Sequence, residues 1–337
     1  MASIVCFGEM LLRLGAPGSE PLLRAATLET GFGGAEANVA CALAGLGLES
    51  SMVTVLPDNA LGDACLGELR RCGVGTSGVI RQPGRMGLYF LTRGATVRPA
   101  QVLYDRAHSA FSTADPRLFG WPALLNGAAW IHVSGITPAL SSAAGRAVVE
   151  ALETARGLGV GISFDCNFRP SLWQGREHDA VRILRDLASR ATLLFAGTHD
   201  ADLLFDAGCA NSATIEGLER AATAAFAACP NLELIATTDR VVHGPDHHDL
   251  TGYLVDHNGI AMSRTVRLQP IVDRIGAGDA YAAGILYGLS QGFDRAQTAE
   301  FAITLAALKH GWPGDFIVMP ADDVAGAMES GARDVRR

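Results

Sequence analysis

Lysine is nearly missing from this chain. Of 27 basic residues only Lys309 is lysine, and all the others are arginine. A phosphate site here must therefore be built from arginine forks and backbone N–H groups. The GxxxxGK[ST] loop is absent as well, which excludes the P-loop solution to nucleotide binding. No CxxC pair occurs among the seven cysteines, so neither a zinc frame nor a disulfide framework is indicated. They read as small buried residues of a reducing, cytoplasmic compartment. No run reaches the roughly 18 apolar residues of a membrane span. The opening MASIVCFGEMLLRL lacks a basic leader and reads as a first strand, not a signal peptide. Basic excess is missing too. The net charge of -8 argues against a nucleic-acid partner, while a local donor cluster can still hold a small anion. HGPDHHD (243–249) offers His243, His247 and His248 to a metal but lacks a second ligand cluster, so a polar loop is expected.

What the chain does contain is 337 residues, 49% of them hydrophobic, arranged in a repeated alternation. Apolar runs of strand length fall at 3–8, 51–56, 129–136, 160–166, 192–196 and 232–237. Helical periodicity fills 35–47, 59–72, 141–158, 176–190, 214–228, 277–291 and 294–310. This is the pattern of an α/β protein with a doubly wound, mostly parallel sheet flanked by helices. Its ligands are expected beyond the carboxyl ends of the strands. Two segments depart from the alternation. Residues 11–32 lack helical period, and 86–106 read as a hairpin around RGATVRPA (93–100). Together they are expected to form a small projecting β lid, beside a core of 1–10, 33–85 and 107–337. Such a flap could close over a ligand; an edge hairpin with a packing role fits the pattern equally well.

Two glycine-rich turns carry the chemistry. In DRIGAGDAYAAGILYGL (273–289), Gly276, Ala277 and Gly278 stand at the mouth of a helix, where free amides and the dipole favour phosphate oxygens. Asp279 is then either a base within an anion cradle or a residue compensating the dipole. In GFGGAEANVACALAGLG (31–47), Gly33 and Gly34 precede a helix with Asn38 in its first turn. The upstream segment makes a poor buried strand and the third glycine of a dinucleotide fingerprint is missing, so a polyhydroxyl ligand suits it better.

GGAEANVA (33–40), followed by PDNALGD (57–63), and DRIGAGDA (273–280) resemble the two signatures of the ribokinase-like carbohydrate kinases. Within that family FGEMLLRL (7–14), LYDRAHSA (103–110), DCNFRPSLW (165–173) and LKHGWPGDF (308–316) are similar to 2-keto-3-deoxygluconate kinases. The resemblance implies transfer of the γ-phosphoryl of MgATP to a primary hydroxyl of a keto-deoxy sugar acid. Asp279 would be the base and Gly276, Ala277 and Gly278 the anion hole. It further implies substrate contacts from Gly33, Gly34, Asn38, Tyr89, Tyr104, Arg106, Arg169 and Asp315. Asn167, Arg169, Arg240, Gly276 and Gly278 would face the nucleotide. Asp200 would anchor hydrated magnesium indirectly, with a monovalent cation requirement left open. A homodimer through exposed lid strands is the expected assembly.

The sequence departs from the family pattern at three places. Arg274 replaces the usual threonine of the second signature. Gly197-Thr198-His199-Asp200 stands where NxxE is usual, and IATTDRVVHG (235–244) replaces a glycine-rich turn near ATP. Arg240 could compensate there by pairing with phosphate. The alternatives are another sugar kinase of the same family, of fructose or ribose type, and a sugar-binding regulator that has lost turnover.

Overall fold

The computed structural model describes residues 3–95, 97–210 and 214–330. The six apolar runs join four further strands in a ten-stranded sheet: β1 (Ser3–Phe7), β4 (Glu49–Pro57), β5 (Val79–Gln82), β8 (Trp130–Ser134), β9 (Gly161–Asp165), β10 (Leu193–Phe195), β11 (Leu234–Gly244), β12 (His247–Asp256), β13 (Gly259–Met262) and β14 (Val266–Leu268). Their order is β13-β12-β11-β10-β9-β8-β1-β4-β5, with β14 pairing β12. From β5 to β11 every neighbouring pair is parallel. Strands β12 to β14 extend the sheet in antiparallel register, with Ile235 opposite Val255 and His248 opposite Leu268. The continuous apolar signal fades there because β11 is largely exposed beyond Ala236. One correction follows. HGPDHHD is not a polar loop but the tight end of the β11–β12 hairpin.

Helices cover both faces, each with its own apolar core. On one face the helices Ala277–Gln291 and Arg295–His310 pack closely because Gly284 and Gly288 leave room. A methyl on Gly284 would strike the Ala302 backbone, and one on Gly288 would press on Thr298. The lone lysine is fully buried here, and its ammonium donates to the Trp312 carbonyl at 3.0 Å.

A second sheet of four strands takes its strands from the two irregular segments: β2 (Leu11–Gly15), β3 (Glu29–Gly33), β6 (Gly87–Thr92) and β7 (Gln101–Asp105), in the order β3-β2-β6-β7. Strands β6 and β7 are the expected hairpin, with Tyr89 opposite Tyr104. Among the described residues no helix is long and apolar enough to cross a membrane.

Candidate active site

The two sheets enclose a cavity of about 480 Å³ at the carboxyl ends of the central strands. Its floor is the turn before helix Ala277–Gln291. Gly276 adopts φ +81°, which a side chain would strain, and a Cβ there would also collide with the Asp315 carbonyl. The amides of Gly276, Gly278 and Asp279 make no hydrogen bond to other described residues, so they are free to meet an anion. Ala277 differs from expectation. It is buried off the cavity lining, and its N–H turns back to the Arg274 carbonyl at 3.4 Å.

Asp279 opens onto the cavity from the first turn of that helix. Asn38 donates Nδ2 to Asp279 Oδ2 at 2.6 Å and accepts the Gly34 N–H at 3.3 Å. The second glycine turn therefore orients the carboxylate in addition to lining the cavity. Burial pushes Asp279 up to about 8, against the Asn38 hydrogen bond, with Asp165, Glu36 and Asp315 adding to the rise. A base with this affinity for a proton suits abstraction from an alcohol near neutral pH. In the ligand-free enzyme Asp279 must first ionise, so kcat/KM should climb with pH and level off above about 8. A flat profile between pH 6 and 9 in stopped ADP-release assays would remove this role.

Gly34 has no room for a side chain because the Glu9 carbonyl lies against it. Gly33 ends β3 and does not line the cavity. A methyl there would strike Asp315 Oδ2, so its role is close approach to that carboxylate and not ligand contact.

The four-stranded sheet is fastened to the turn before helix Ala277–Gln291 by a buried ionic network. Arg13 on β2 reaches Asp273 Oδ2 at 2.6 Å and Asp315 Oδ1 at 2.8 Å, with all three side chains 7% exposed or less. The Tyr89 hydroxyl lies 2.6 Å from both Asp315 oxygens. Burial raises the Asp315 pKa, while the Tyr89 and Arg13 contacts pull it back. Asp273 also accepts the Ile275 and Gly314 amides, at 3.1 and 3.2 Å, and so fixes both loops around Gly276.

The arginines separate by their partners. Arg106 is locked to buried Glu9, with Nε at 2.7 Å, and Ser109 bonds the other Glu9 oxygen. Its guanidinium lies 5.4 Å from the Tyr104 ring centre. Among the described residues Arg169 donates only to the Phe168 carbonyl, at 3.2 Å. On the same wall burial pushes Asp165 up to about 7, with Arg169 opposing and Asp200 adding to the rise. Asn167 sits at φ +40°, bonds Asp165 at 3.1 Å through both its backbone and side-chain N–H groups, and leaves its buried Oδ1 without a partner. Asp200 accepts the Gly197 amide at 3.0 Å and caps its own helix.

One cavity thus gathers the sequence-selected residues on its lining, apart from Gly33 and Ala277. Sequence reasoning missed Glu9, Glu36, Asp165 and the network arginine Arg13. Each lies within a motif already singled out, and a charge inside an apolar run, as Arg13 is in FGEMLLRL, was the available signal. Away from the cavity, the hairpin brings donor atoms of His243, His247 and Asp249 within 4.8 Å of one another, with His243 Nε2 at 2.9 Å from Asp249.

A turn with free amides, a buried carboxylate beside it and a covering sheet meet in one cavity on an α/β core. The pfkB family carbohydrate kinase model matches residues 1–239 and 252–321, so the chain belongs to that family and is a carbohydrate kinase with the ribokinase-like fold. It is 31% identical to the 2-dehydro-3-deoxygalactonokinase of Haloferax volcanii, over 100% of this chain and 99% of that one. It is 30% identical to the 2-dehydro-3-deoxygluconokinase of Bacillus subtilis, covering 99% and 97%. Among solved structures, the 2-dehydro-3-deoxygluconokinase of Thermotoga maritima superposes with a TM-score of 0.93 at 35% identity, covering 97% and 99%. The ATP-bound fructokinase of Xylella fastidiosa gives 0.78 at 26%, covering 97% and 98%.

Proposed function

We propose that this kinase transfers the γ-phosphoryl group of ATP to the primary hydroxyl of a 2-keto-3-deoxy sugar acid. The observation that carries the reading is Asp279, oriented by Asn38 at the mouth of a free-amide turn, in a cavity also lined by Arg169, which makes no salt bridge among the described residues. Two relatives whose names specify such acids support the substrate class. Asp279 takes the proton as the hydroxyl oxygen bonds to phosphorus and the bond to the ADP oxygen breaks. The amides of Gly276 and Gly278 hold the charge on the moving group. Asn38, Gly34, Tyr89 and Tyr104 line the sugar end. Asp315, already engaged by Tyr89 and Arg13, offers the substrate only its remaining acceptor capacity. Asn167 and Arg240 face the nucleotide.

Magnesium fits the donor set on this wall. Asp165, Asp200 and the unpartnered Oδ1 of Asn167 are all hard oxygen ligands. When bound there it would neutralise charge on the nucleotide phosphates. Seven buried, unpaired cysteines agree with a reducing, cytoplasmic setting. The fully exposed course of β7 would suit pairing with a second copy through the lid.

Arg169 is assigned to the substrate carboxylate, within reach of the nucleotide side. Arg169→Ala should raise KM for a keto-deoxy acid by about 10–100-fold, the roughly 1.5–3 kcal/mol of a charge-assisted bond. A neutral sugar should be affected far less, and equal effects on both would place the carboxylate elsewhere. The reaction itself is tested by phosphorus NMR of 2-keto-3-deoxygluconate incubated with enzyme and MgATP. A phosphomonoester on the terminal CH₂ is expected; phosphate on a ring carbon or on the carboxylate contradicts the reading.

A further inference from the structure

Four arginines line the cavity, and Arg240 and Arg274 are set apart from the other two. Arg106 is neutralised by Glu9, and Arg169 has a backbone partner and the Asp165 charge nearby. Arg240, on β11, and Arg274, in the turn before helix Ala277–Gln291, make no ion pair or side-chain hydrogen bond among the described residues. This is a chain of net charge -8 with 35 carboxylates, so counter-ions are not scarce. The two unpaired guanidiniums are also close enough to repel. The surrounding protein and the Arg240 charge both press the Arg274 pKa down. An arrangement of this kind is unfavourable until an anion of more than one charge lies between the forks.

The backbone at Arg274 is rigidly held. Asp273 is fixed by Arg13, the Asp273 and Val272 amides both donate to the His310 carbonyl, and the Arg274 carbonyl accepts from Ala277. Arg274 therefore projects from the same turn that presents the Gly276 and Gly278 amides and Asp279. A ligand that bridges the pair and also reaches the turn must carry several charges along its length, as a nucleotide triphosphate chain does.

We infer that Arg240 and Arg274 form a two-guanidinium clamp on the nucleotide phosphates, with Arg274 contacting the γ-phosphoryl group during transfer and Arg240 the phosphates that leave with ADP. This rests on the ATP-dependent reaction proposed above. The clamp takes the place of the glycine-rich nucleotide strand and the threonine that the sequence lacks, and a bidentate fork does what a point charge cannot.

The test uses the full-length protein in four forms: wild type, Arg240→Ala, Arg274→Ala and Arg274→Lys. Both positions are exposed, so melting temperatures should match the wild type. Calorimetric titrations with ADP, a β,γ-imido ATP analogue (each with magnesium) and 2-keto-3-deoxygluconate read the contacts directly. Arg240→Ala should weaken both nucleotides about equally. Arg274→Ala should weaken the triphosphate analogue at least tenfold more than ADP and leave the sugar acid unchanged. Its kcat should fall on the order of 10²–10³-fold, toward the range of a transition-state arginine. Lysine should recover little, and added ethylguanidinium should restore part of the turnover to Arg274→Ala. Unchanged ratios of triphosphate to diphosphate affinity with normal kcat would overturn the clamp. Weakened sugar-acid binding in place of nucleotide binding would also overturn it, and would assign the pair to the substrate. If the wild type turned over no sugar at all, the reaction would be wrong, while the nucleotide titrations would still decide the clamp.

Discussion

Asp279→Asn should fold normally and lose turnover by about 10²–10⁴-fold, the contribution of a positioned base. The amide fills the same space and can still accept the Asn38 hydrogen bond, so affinity for ATP and sugar should change little. A thermodynamic signature accompanies the kinetic one. The folded-state pKa of Asp279 is raised to about 8 from the ordinary carboxylate value of 3.8. Between those limits the folded protein holds a proton that the unfolded chain has released, so this group makes stability fall as pH rises. Asparagine removes that loss. The variant should melt higher than the wild type at pH 8.5 and nearly with it at pH 4. Wild-type turnover in the variant, or a pH-independent difference in melting, would separate Asp279 from both roles.

Arg13→Met should cost about 3–5 kcal/mol, because it strands Asp273 and Asp315 as buried carboxylates. It should also lower kcat, since Asp273 holds the Ile275 and Gly314 amides on either side of the anion turn. Arg13→Lys cannot reach both carboxylates with a planar fork and should recover only part of either loss. Chemical denaturation of the single variants and of Arg13→Met with Asp315→Asn measures the coupling. The double variant should be less destabilised than the sum of its parts. Strict additivity, or a cost below about 1 kcal/mol, would mean that the lid is held by apolar contact alone.

Much of this was legible in the sequence because the informative signals are local. Near-continuous apolar strands, helical periods and two glycine turns placed β1, β4, β8 to β10 and the helix behind Asp279. The antiparallel end of the sheet was not legible. Strand β13 is short and exposed at both ends, β12 opens on the polar residues His247, His248 and Asp249, and a register such as Ala236 opposite Leu254 leaves no mark on local composition. The division of labour among arginines was equally hidden. Arg13, Arg106 and Arg274 are chemically identical in the sequence. Only the partners differ: two carboxylates for the first, Glu9 for the second and none among the described residues for the third. What Gly33 and Gly34 must accommodate was hidden for a similar reason. Both were read as room for a ligand; in the structure Gly33 makes room for Asp315, while Gly34 lies against the Glu9 carbonyl and also lines the cavity.

The most direct measurement is ADP release from MgATP over 2-keto-3-deoxygluconate, its galactonate epimer, fructose and ribose, compared as kcat/KM. The account predicts that both keto-deoxy acids exceed the neutral sugars by at least an order of magnitude, and that Arg169→Ala narrows the gap. Faster turnover of fructose or ribose than of either acid would contradict it, leaving the fold and the Asp279 chemistry in place and the assigned substrate class wrong.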